Sequence, residues 1–405
     1  MTTQDRITQV QIQGLKSIDS VTLDLDGLTV LIGDNGSGKS TILEALEILR
    51  KIPGPARANL LSEHGGLDRL LRQDSIELSL CLTTTGPQGQ LTYTIEFNDQ
   101  GIRYEGLLSA ESQGPDRAKK LNPVFERTAD IVKILSDDGQ LKNPPHARIG
   151  RDTPILESLL QATPHTGIQR MCDVLEGIAI HRPFAIQPLW ANTPPSLENT
   201  ARQPGLVTHV KHLERNGANL ASAIHTLKNA YPRKHWDKTL ALIQLGLGDD
   251  IDDIRTPPAP GGGRVTLELH PRGLPRPLPA FCLSDGMLSW LAFVAMFRLD
   301  EGRSLLAFDE PESHLHPHLL MRVLSLFEES AEQHPVILAT HSDRLLDGLE
   351  EPAKAVILTE LNEDHATILR RPDEVALAQW LKRYKGLGEL RSEGYLSHIL
   401  AEEAG

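Results

Sequence analysis

The sequence predicts an α/β protein of two lobes, a mixed sheet with added antiparallel strands, interrupted by an inserted and mostly helical subdomain. Three observations predict it. Apolar strand-like runs alternate with helix-like runs at both ends of the chain, over 1–50 and 265–370. A glycine-rich loop, Gly33–Thr41, joins one such strand to the helix after it. Between the two ends, over 111–264, prolines become frequent and helical stretches replace the two-residue alternation.

Taken in order, Val10, Ile12 and Leu15 read as one strand, Val21, Leu23 and Leu25 as a second, and Leu28–Ile32 as a buried third. Ile42, Leu43, Ala45, Leu46 and Leu49 then fall at helical spacing until Pro53 and Pro55 stop the helix. Period-two runs at Ile76–Leu82, Leu91–Phe97 and Ile102–Leu107 read as an antiparallel meander. In the middle segment, helical stretches are expected around 155–160, 167–175 and 213–245, with no heptads and no internal repeat. PAPGGGR, 258–264, reads as its exit loop. Strands are then expected at Val265–Leu269, Ser304–Phe308, Val336–Ala339 and Ala355–Thr359. Helices are expected from Ser284 to about Phe297, over Pro317–Gln333 and over Asp343–Leu349. Apolar strands alternating with helices imply a sheet covered on both faces. The expected division is 1–110 for the N-terminal lobe, 111–264 for the insertion, 265–375 for the C-terminal lobe and 376–405 for a helical tail.

Composition bounds the function. The chain has 405 residues, 40% hydrophobic and 23% charged, an ordinary globular balance. A net charge of −13 excludes a uniformly basic nucleic-acid binder, though not a local basic groove. Arg117, Lys119 and Lys120, like Arg370 and Arg371, read as solvated surface. Cys81, Cys172 and Cys282 are far apart and form no CxxC pair, so reduced thiols are expected rather than a disulfide framework or zinc site. MTTQDRITQV lacks the pattern of a signal peptide, and the longest apolar run, Leu288 to Phe297, is too short to span a bilayer. The expected location is the cytoplasm, with no membrane segment.

Four stretches carry chemistry. Gly33-Asp34-Asn35-Gly36-Ser37-Gly38-Lys39-Ser40 fits G-x-x-x-x-G-K-[ST], after an apolar strand and before a helix. Its glycines let the backbone wrap an anion, and the free N–H groups at the helix start favour a triphosphate. Lys39 is expected to reach the β- and γ-phosphates, and the Ser40 hydroxyl to ligate Mg²⁺. Leu305–Phe308 leads into Asp309 and Glu310, so an apolar strand delivers two carboxylates to a sheet edge. Asp309 would hold Mg²⁺ and Glu310 would orient and deprotonate water; the plainer reading is an acidic helix cap. Leu283-Ser284-Asp285-Gly286 opens a helix 25 positions before Asp309. Ser284 is either a γ-phosphate contact or simply an N-cap. Val336–Thr340 delivers His341 to the same edge, where an imidazole can donate to a phosphate oxygen or move a proton.

Together GDNGSGKST, LSDG, LLAFDEPESHLHP and ATHS resemble the RecF/SMC-like ABC ATPases, and more narrowly the OLD-like, RecF-type AAA ATPases of bacterial defence and repair loci. ITQVQIQGLKSI resembles the first strands of the same group, with Lys16 where a basic residue often lies near the nucleotide. The resemblance covers about 1–50 and 280–345, with a weaker match at LERNGANLASAIHTL. It implies an ABC-type P-loop head with ATP and Mg²⁺ as ligands. Ser284 and Gly286 would be a signature motif that closes over ATP held by a second head, and His341 a switch histidine. Hydrolysis would then need a homodimer or higher homo-oligomer with ATP sandwiched between heads. The implied output is control of a separate effector protein, a nuclease or toxin, in antiphage defence. A DNA-repair ATPase that holds DNA across the closed dimer, and a low-turnover ATP switch, stand as alternatives.

Departures from the pattern are visible. LSDGM stands where transporter heads carry LSGGQ, which argues against a transporter subunit. No Q-loop glutamine can be placed; Gln73 and Gln88 are candidates by position only. His314, His316 and His318 beside Glu312 read either as a metal cluster or, with Ser313, as a contact between heads. The TOPRIM nuclease common in OLD-like proteins has no room in the residues after Ser342, so any nuclease is expected on another chain.

Overall fold

In a computed structural model of the protein, the described residues are 5–55, 60–110, 121–129, 131–135, 141–142, 150–162, 165–187, 200–380 and 386–392. The strands are Arg6–Leu15 (β1), Ile18–Asp24 (β2), Leu28–Gly33 (β3), Leu78–Gly86 (β4), Gly89–Asn98 (β5), Gly101–Ala110 (β6), Asn122–Thr128 (β7), Ile131–Leu135 (β8), Leu141–Lys142 (β9), Ile178–His181 (β10), Gly205–Leu206 (β11), Ile251–Arg255 (β12), Arg264–Val265 (β13), Glu268–Pro271 (β14), Leu278–Pro279 (β15), Leu305–Asp309 (β16), Val336–Thr340 (β17), Val356–Leu361 (β18) and Thr367–Arg370 (β19).

Six of them build the central sheet, in the order β10-β16-β17-β3-β18-β19. All neighbours are parallel except the edge pair β18 and β19. The continuous apolar runs follow from burial on both faces. Side chains alternate between two cores. Val30, Ile32, Leu306, Phe308, Val336, Leu338, Val356 and Leu358 face one of them, under the helices Leu220–Asn229, Asp285–Arg298 and Pro317–Ala331. Leu31, Leu305, Ala307, Ile337, Ala339 and Ile357 face the other, under the helices Lys39–Lys51 and Thr166–Glu176 and the meander. The long apolar run Leu288–Phe297 belongs to the helix Asp285–Arg298, whose residues Leu288 to Met296 are all buried. A helix apolar all round is an interior helix.

The meander is an eight-stranded antiparallel sheet, β2-β1-β4-β5-β6-β7-β8-β9. The segment 111–264 supplies the helices Leu156–Ala162, Thr166–Glu176, Leu220–Asn229 and Arg233–Leu247, at the expected helical stretches. It also supplies β7–β9 to the meander and β10 to the central sheet, so strands of both large sheets lie inside the expected insertion. β10 has only four residues, too few for a periodic signal to show. Arg117, Lys119 and Lys120, and 381–385 and 393–405 of the expected tail, lie outside the described residues; Glu374–Trp380 and Leu387–Ser392 are helical. No helix among the described residues is long and apolar enough to cross a membrane. The cysteines are free thiols: Cys172 is buried, Cys81 half-buried and Cys282 exposed.

The core predicts acid sensitivity. His181, at the end of β10, is buried with its ring stacked 5.8 Å from that of Phe308. Burial, reinforced by Arg303, pulls its pKa down from 6.5 to about 3. The same two causes pull His334 down to about 4. Below pH 6.5 the unfolded chain therefore binds protons that the folded chain refuses. Stability should fall as pH drops from 6.5 towards 4, by up to about 1.4 kcal/mol per pH unit for each histidine. Urea midpoints measured between pH 7 and 5 should decline, and less steeply for His181→Phe; a flat profile would contradict two buried neutral imidazoles.

Candidate nucleotide site

β3 ends at Gly33 and the helix Lys39–Lys51 begins six residues later, so Gly33–Gly38 must turn sharply at the sheet's C-terminal edge. Two glycines make this possible. Gly38 has φ 106°, and a Cβ there would lie 2.3 Å from Thr367 Oγ1; a Cβ on Gly33 would lie 2.0 Å from the Thr359 carbonyl oxygen. The loop is thus pressed against β18 and β19. The Ser37 and Thr359 hydroxyls share a 2.7 Å hydrogen bond. Asp34, Asn35 and Gly36 are exposed at the loop tip.

Lys39 is buried inside the loop, and its Nζ donates to the carbonyls of Gly33 (2.7 Å) and Asp34 (2.9 Å). Burial lowers its pKa, opposed by Asp309. The next hydroxyl, Ser40 Oγ, donates to Asp309 Oδ2 at 3.4 Å, and Thr41 follows half-buried in the same helix. A buried ammonium and a hydroxyl beside a carboxylate are groups that suit a triphosphate with a hard divalent cation. A cleft of about 850 Å³ beside the loop is lined by Gly33, Asp34, Asn35 and Ser37 on one side and by Asp343, Thr359 and Arg391 on others; Lys39, Ser40, Asp309, Glu310 and His341 do not line it.

β17 lies between β3 and β16, so the carboxylates stand two strands from the loop strand. Burial and the neighbouring Glu310 raise the pKa of Asp309, while Arg182, Ser40 and Lys39 hold it down. Glu310 has φ 51°, a left-handed backbone that costs a non-glycine residue roughly 1–2 kcal/mol. Its N–H donates to the Ala339 carbonyl (2.8 Å), which ties the end of β16 to β17. Its carboxylate accepts from Ser313 Oγ at 3.5 Å.

Thr340 Oγ1 (2.7 Å) and the His341 N–H (3.1 Å) both donate to Glu312 Oε1. Glu312 therefore fixes the backbone that carries His341. Arg391, from the helix Leu387–Ser392, donates through Nη1 to Asp343 Oδ1 (2.6 Å) and to the His341 carbonyl (3.4 Å).

Ser284 Oγ accepts from the Met287 N–H at 3.2 Å and so caps its helix. Ser284 and Gly286 do not line the cleft of the same chain; a Cβ on Gly286 would lie 3.6 Å from the His314 carbonyl oxygen. The turn that leads into Ser284 is held by Arg202. This buried guanidinium donates to the carbonyls of Ile186 (2.6 Å), Ala280 (3.0 Å) and Leu283 (2.8 Å) and to Asp285 Oδ1 (2.6 Å).

Among the described residues, no group of three histidine, cysteine or acidic side chains is gathered for a metal. His316 instead caps the helix Pro317–Ala331 by accepting from the His318 N–H (3.3 Å), and His318 Nε2 lies 3.4 Å from Arg322. Lys16 pairs with Glu44, as does His64 Nδ1 at 2.8 Å. Burial opposes ionisation of Glu44, yet these bonds hold its pKa down to about 2. Gln88 sits in the turn between β4 and β5, and neither it nor Gln73 lines the cleft.

The sequence did not single out Arg182, Arg202, Glu312 for its anchoring role, Thr359, Thr367 or Arg391. In register, His181 on β10 pairs with Phe308 on β16, so Arg182 follows on beside Asp309. Only long-range pairing reveals it, and no local spacing marks Arg202 or Arg391.

A protein-family model described as "AAA domain, putative AbiEii toxin, Type IV TA system" matches residues 28–347. No curated protein matches the chain. Similar solved structures include three SMC heads. One is an SMC head bound to the C-winged helix domain of ScpA, with 14% identity over 90% of this chain and 96% of that one, TM-score 0.47. Another is the SMC head domain from Thermotoga maritima, with 14% identity over 90% and 98%, TM-score 0.45. The third is a Pyrococcus furiosus SMC head with an extended coiled coil, bound to the C-terminal domain of ScpA, with 14% identity over 94% and 99%, TM-score 0.49.

Proposed function

Because the chain belongs to the AAA-domain family whose model spans residues 28–347, we propose that it is a Mg-dependent ATPase whose nucleotide-driven head pairing controls a separate effector protein. The observation that carries this reading is the buried Lys39 ammonium inside its loop, with Ser40 bonded to Asp309 and Glu310 next in line.

The amides of Gly36–Thr41 and the Lys39 ammonium would hold the phosphates, with Asp34 and Asn35 at the loop tip. Ser40 and Asp309 would hold Mg²⁺, which when bound neutralises phosphate charge. Glu310 would take a proton from water as the water oxygen bonds to the γ-phosphorus and the bond to the β-phosphate oxygen breaks, giving ADP and phosphate. His341 would donate to a γ-phosphate oxygen. Ser284 and Gly286 would act at the nucleotide of a second copy, as the resemblance of LSDG to a signature motif implies. Binding would favour the paired state and hydrolysis the separated one.

The family description names a toxin–antitoxin system, and the net charge of −13 disfavours nucleic acid as the main partner. An effector protein in antiphage defence, a nuclease or toxin, is therefore the proposed partner, ahead of DNA in repair. The test is nucleotide binding and phosphate release by the wild-type protein and by Lys39→Ala. The wild type should bind ATP and release phosphate only with Mg²⁺. Lys39→Ala should lose both by at least about tenfold, since it removes a charged contact worth roughly 1.5–3 kcal/mol. Wild-type protein that binds no ATP would end the reading.

A further inference from the structure

We infer that the C-terminal helix Leu387–Ser392 completes the nucleotide site of its own chain, with Arg391 as a contact for the terminal phosphate of ATP. The inference rests on the ATP-binding reading above and adds a residue and a helix to it.

The helix is built to stay where it is. Leu387 and Leu390 are buried in the core that lies under the central sheet. Asp347 Oδ1 accepts from the N–H groups of Gly388 (2.7 Å) and Glu389 (3.2 Å), which caps the helix start from a neighbouring helix. Gly386 and Gly388 admit no side chain. A Cβ on Gly386 would lie 2.3 Å from Asp347 Oδ1, and one on Gly388 1.9 Å from the Asp343 carbonyl oxygen. This contact is therefore backbone against backbone, and it fixes where Arg391 emerges.

Arg391 emerges beside His341, the residue proposed to meet the γ-phosphate, while Ser40, Asp309 and Glu310 do not line the cleft that it enters. It lines the cleft with Gly33, Asp34 and Asn35, and it bonds the carbonyl of His341 itself. Its charge is also among those acting on Lys39. Among the described residues its bonds, to Asp343 and to the His341 carbonyl, use Nη1. A guanidinium offers five donors in a planar fork, a shape that suits phosphate. Asp343 is 40% exposed, so water can replace its partner at little cost. Arg391 can thus exchange Asp343 for phosphate without leaving a buried charge unpaired. The consequence is linkage: a nucleotide with a γ-phosphate strengthens docking of the C-terminal helix, and whatever draws that helix away weakens ATP binding by the same factor.

The test compares ATP and ADP binding to the full chain by calorimetry, for wild type, Arg391→Ala, Arg391→Lys and Asp347→Ala. Arg391→Ala should weaken ATP binding about ten- to hundredfold, the range of one charge-assisted phosphate contact, and ADP binding less than about twofold. Arg391→Lys should recover part of the loss, because it keeps the charge and lacks the fork. Asp347→Ala should shift the ATP-to-ADP affinity ratio in the same direction as Arg391→Ala. Equal losses for ATP and ADP, or no loss for either, would overturn the inference while leaving wild-type ATP binding intact. Absence of ATP binding by the wild type would instead remove the reading beneath it.

Discussion

Glu310→Gln should lower phosphate release by about 10²–10⁴-fold, the usual worth of a positioned general base, with ATP still bound. The backbone reasons are specific. Glu310 sits at φ 51°, tied by its N–H to Ala339 and by its carboxylate to Ser313. Glutamine has nearly the same size and backbone preferences, so the turn survives and only the base is lost. Asp309, whose pKa is raised first by burial and then by the charge of Glu310, should ionise more easily in the variant. Metal affinity should therefore hold or rise. A variant that binds ATP without cleaving it should accumulate the paired state, so its solution mass should about double with ATP–Mg²⁺, as expected for a ligand that favours one state. Phosphate release equal to wild type would remove Glu310 as the base. An unchanged mass with ATP bound would remove pairing as the output.

Arg202→Ala should be the most damaging substitution outside the cleft. The side chain is buried, and it serves the carbonyls of Ile186, Ala280 and Leu283 together with Asp285. Truncation strands several acceptors at once, each costing about 1–3 kcal/mol when buried. Asp285 is 44% exposed and can hydrate, which tempers the total. A loss of about 3 kcal/mol is expected in denaturant unfolding. The functional signature is more telling. The loop before Ser284 should loosen while Gly33–Thr41 keeps its own bonds. ATP binding at the loop should survive at temperatures where the variant is folded, and nucleotide-dependent pairing should weaken. Loss of ATP binding in parallel with pairing would show that Arg202 supports the whole fold rather than the turn before Ser284.

Local pattern made the phosphate loop, the carboxylate strand and the histidine strand legible, because each is a short apolar run followed by its polar residues. Residues 305–310 and 336–341 announce themselves in that way. The sheet that unites them was legible only as a class. β10 is four residues long and joins β16 from more than a hundred residues away, and β19 is an edge strand of four residues. Arg182 is placed by the pairing of β10 with β16, and Arg202 and Arg391 by tertiary hydrogen bonds, so no window of sequence contains both the residue and its partner. The expected helices in 111–264 were legible from their spacing. The strands before them were not, since NPVFERT and IVKIL carry only short apolar runs broken by polar and charged residues.

Thr367 joins two parts of the molecule that chemistry alone would not connect. Its N–H and hydroxyl donate to the carbonyl (2.7 Å) and hydroxyl (2.8 Å) of Ser17, in the turn between β1 and β2, while its own side chain leaves no space for a Cβ on Gly38. The broad antiparallel sheet is thereby geared to the phosphate loop through one threonine. A force applied to the outer strands, by an effector seated there or withdrawn from it, would press on or release the Gly33–Lys39 backbone proposed to grip a triphosphate. The gearing runs both ways, so a filled loop also stiffens the platform that such an effector would feel.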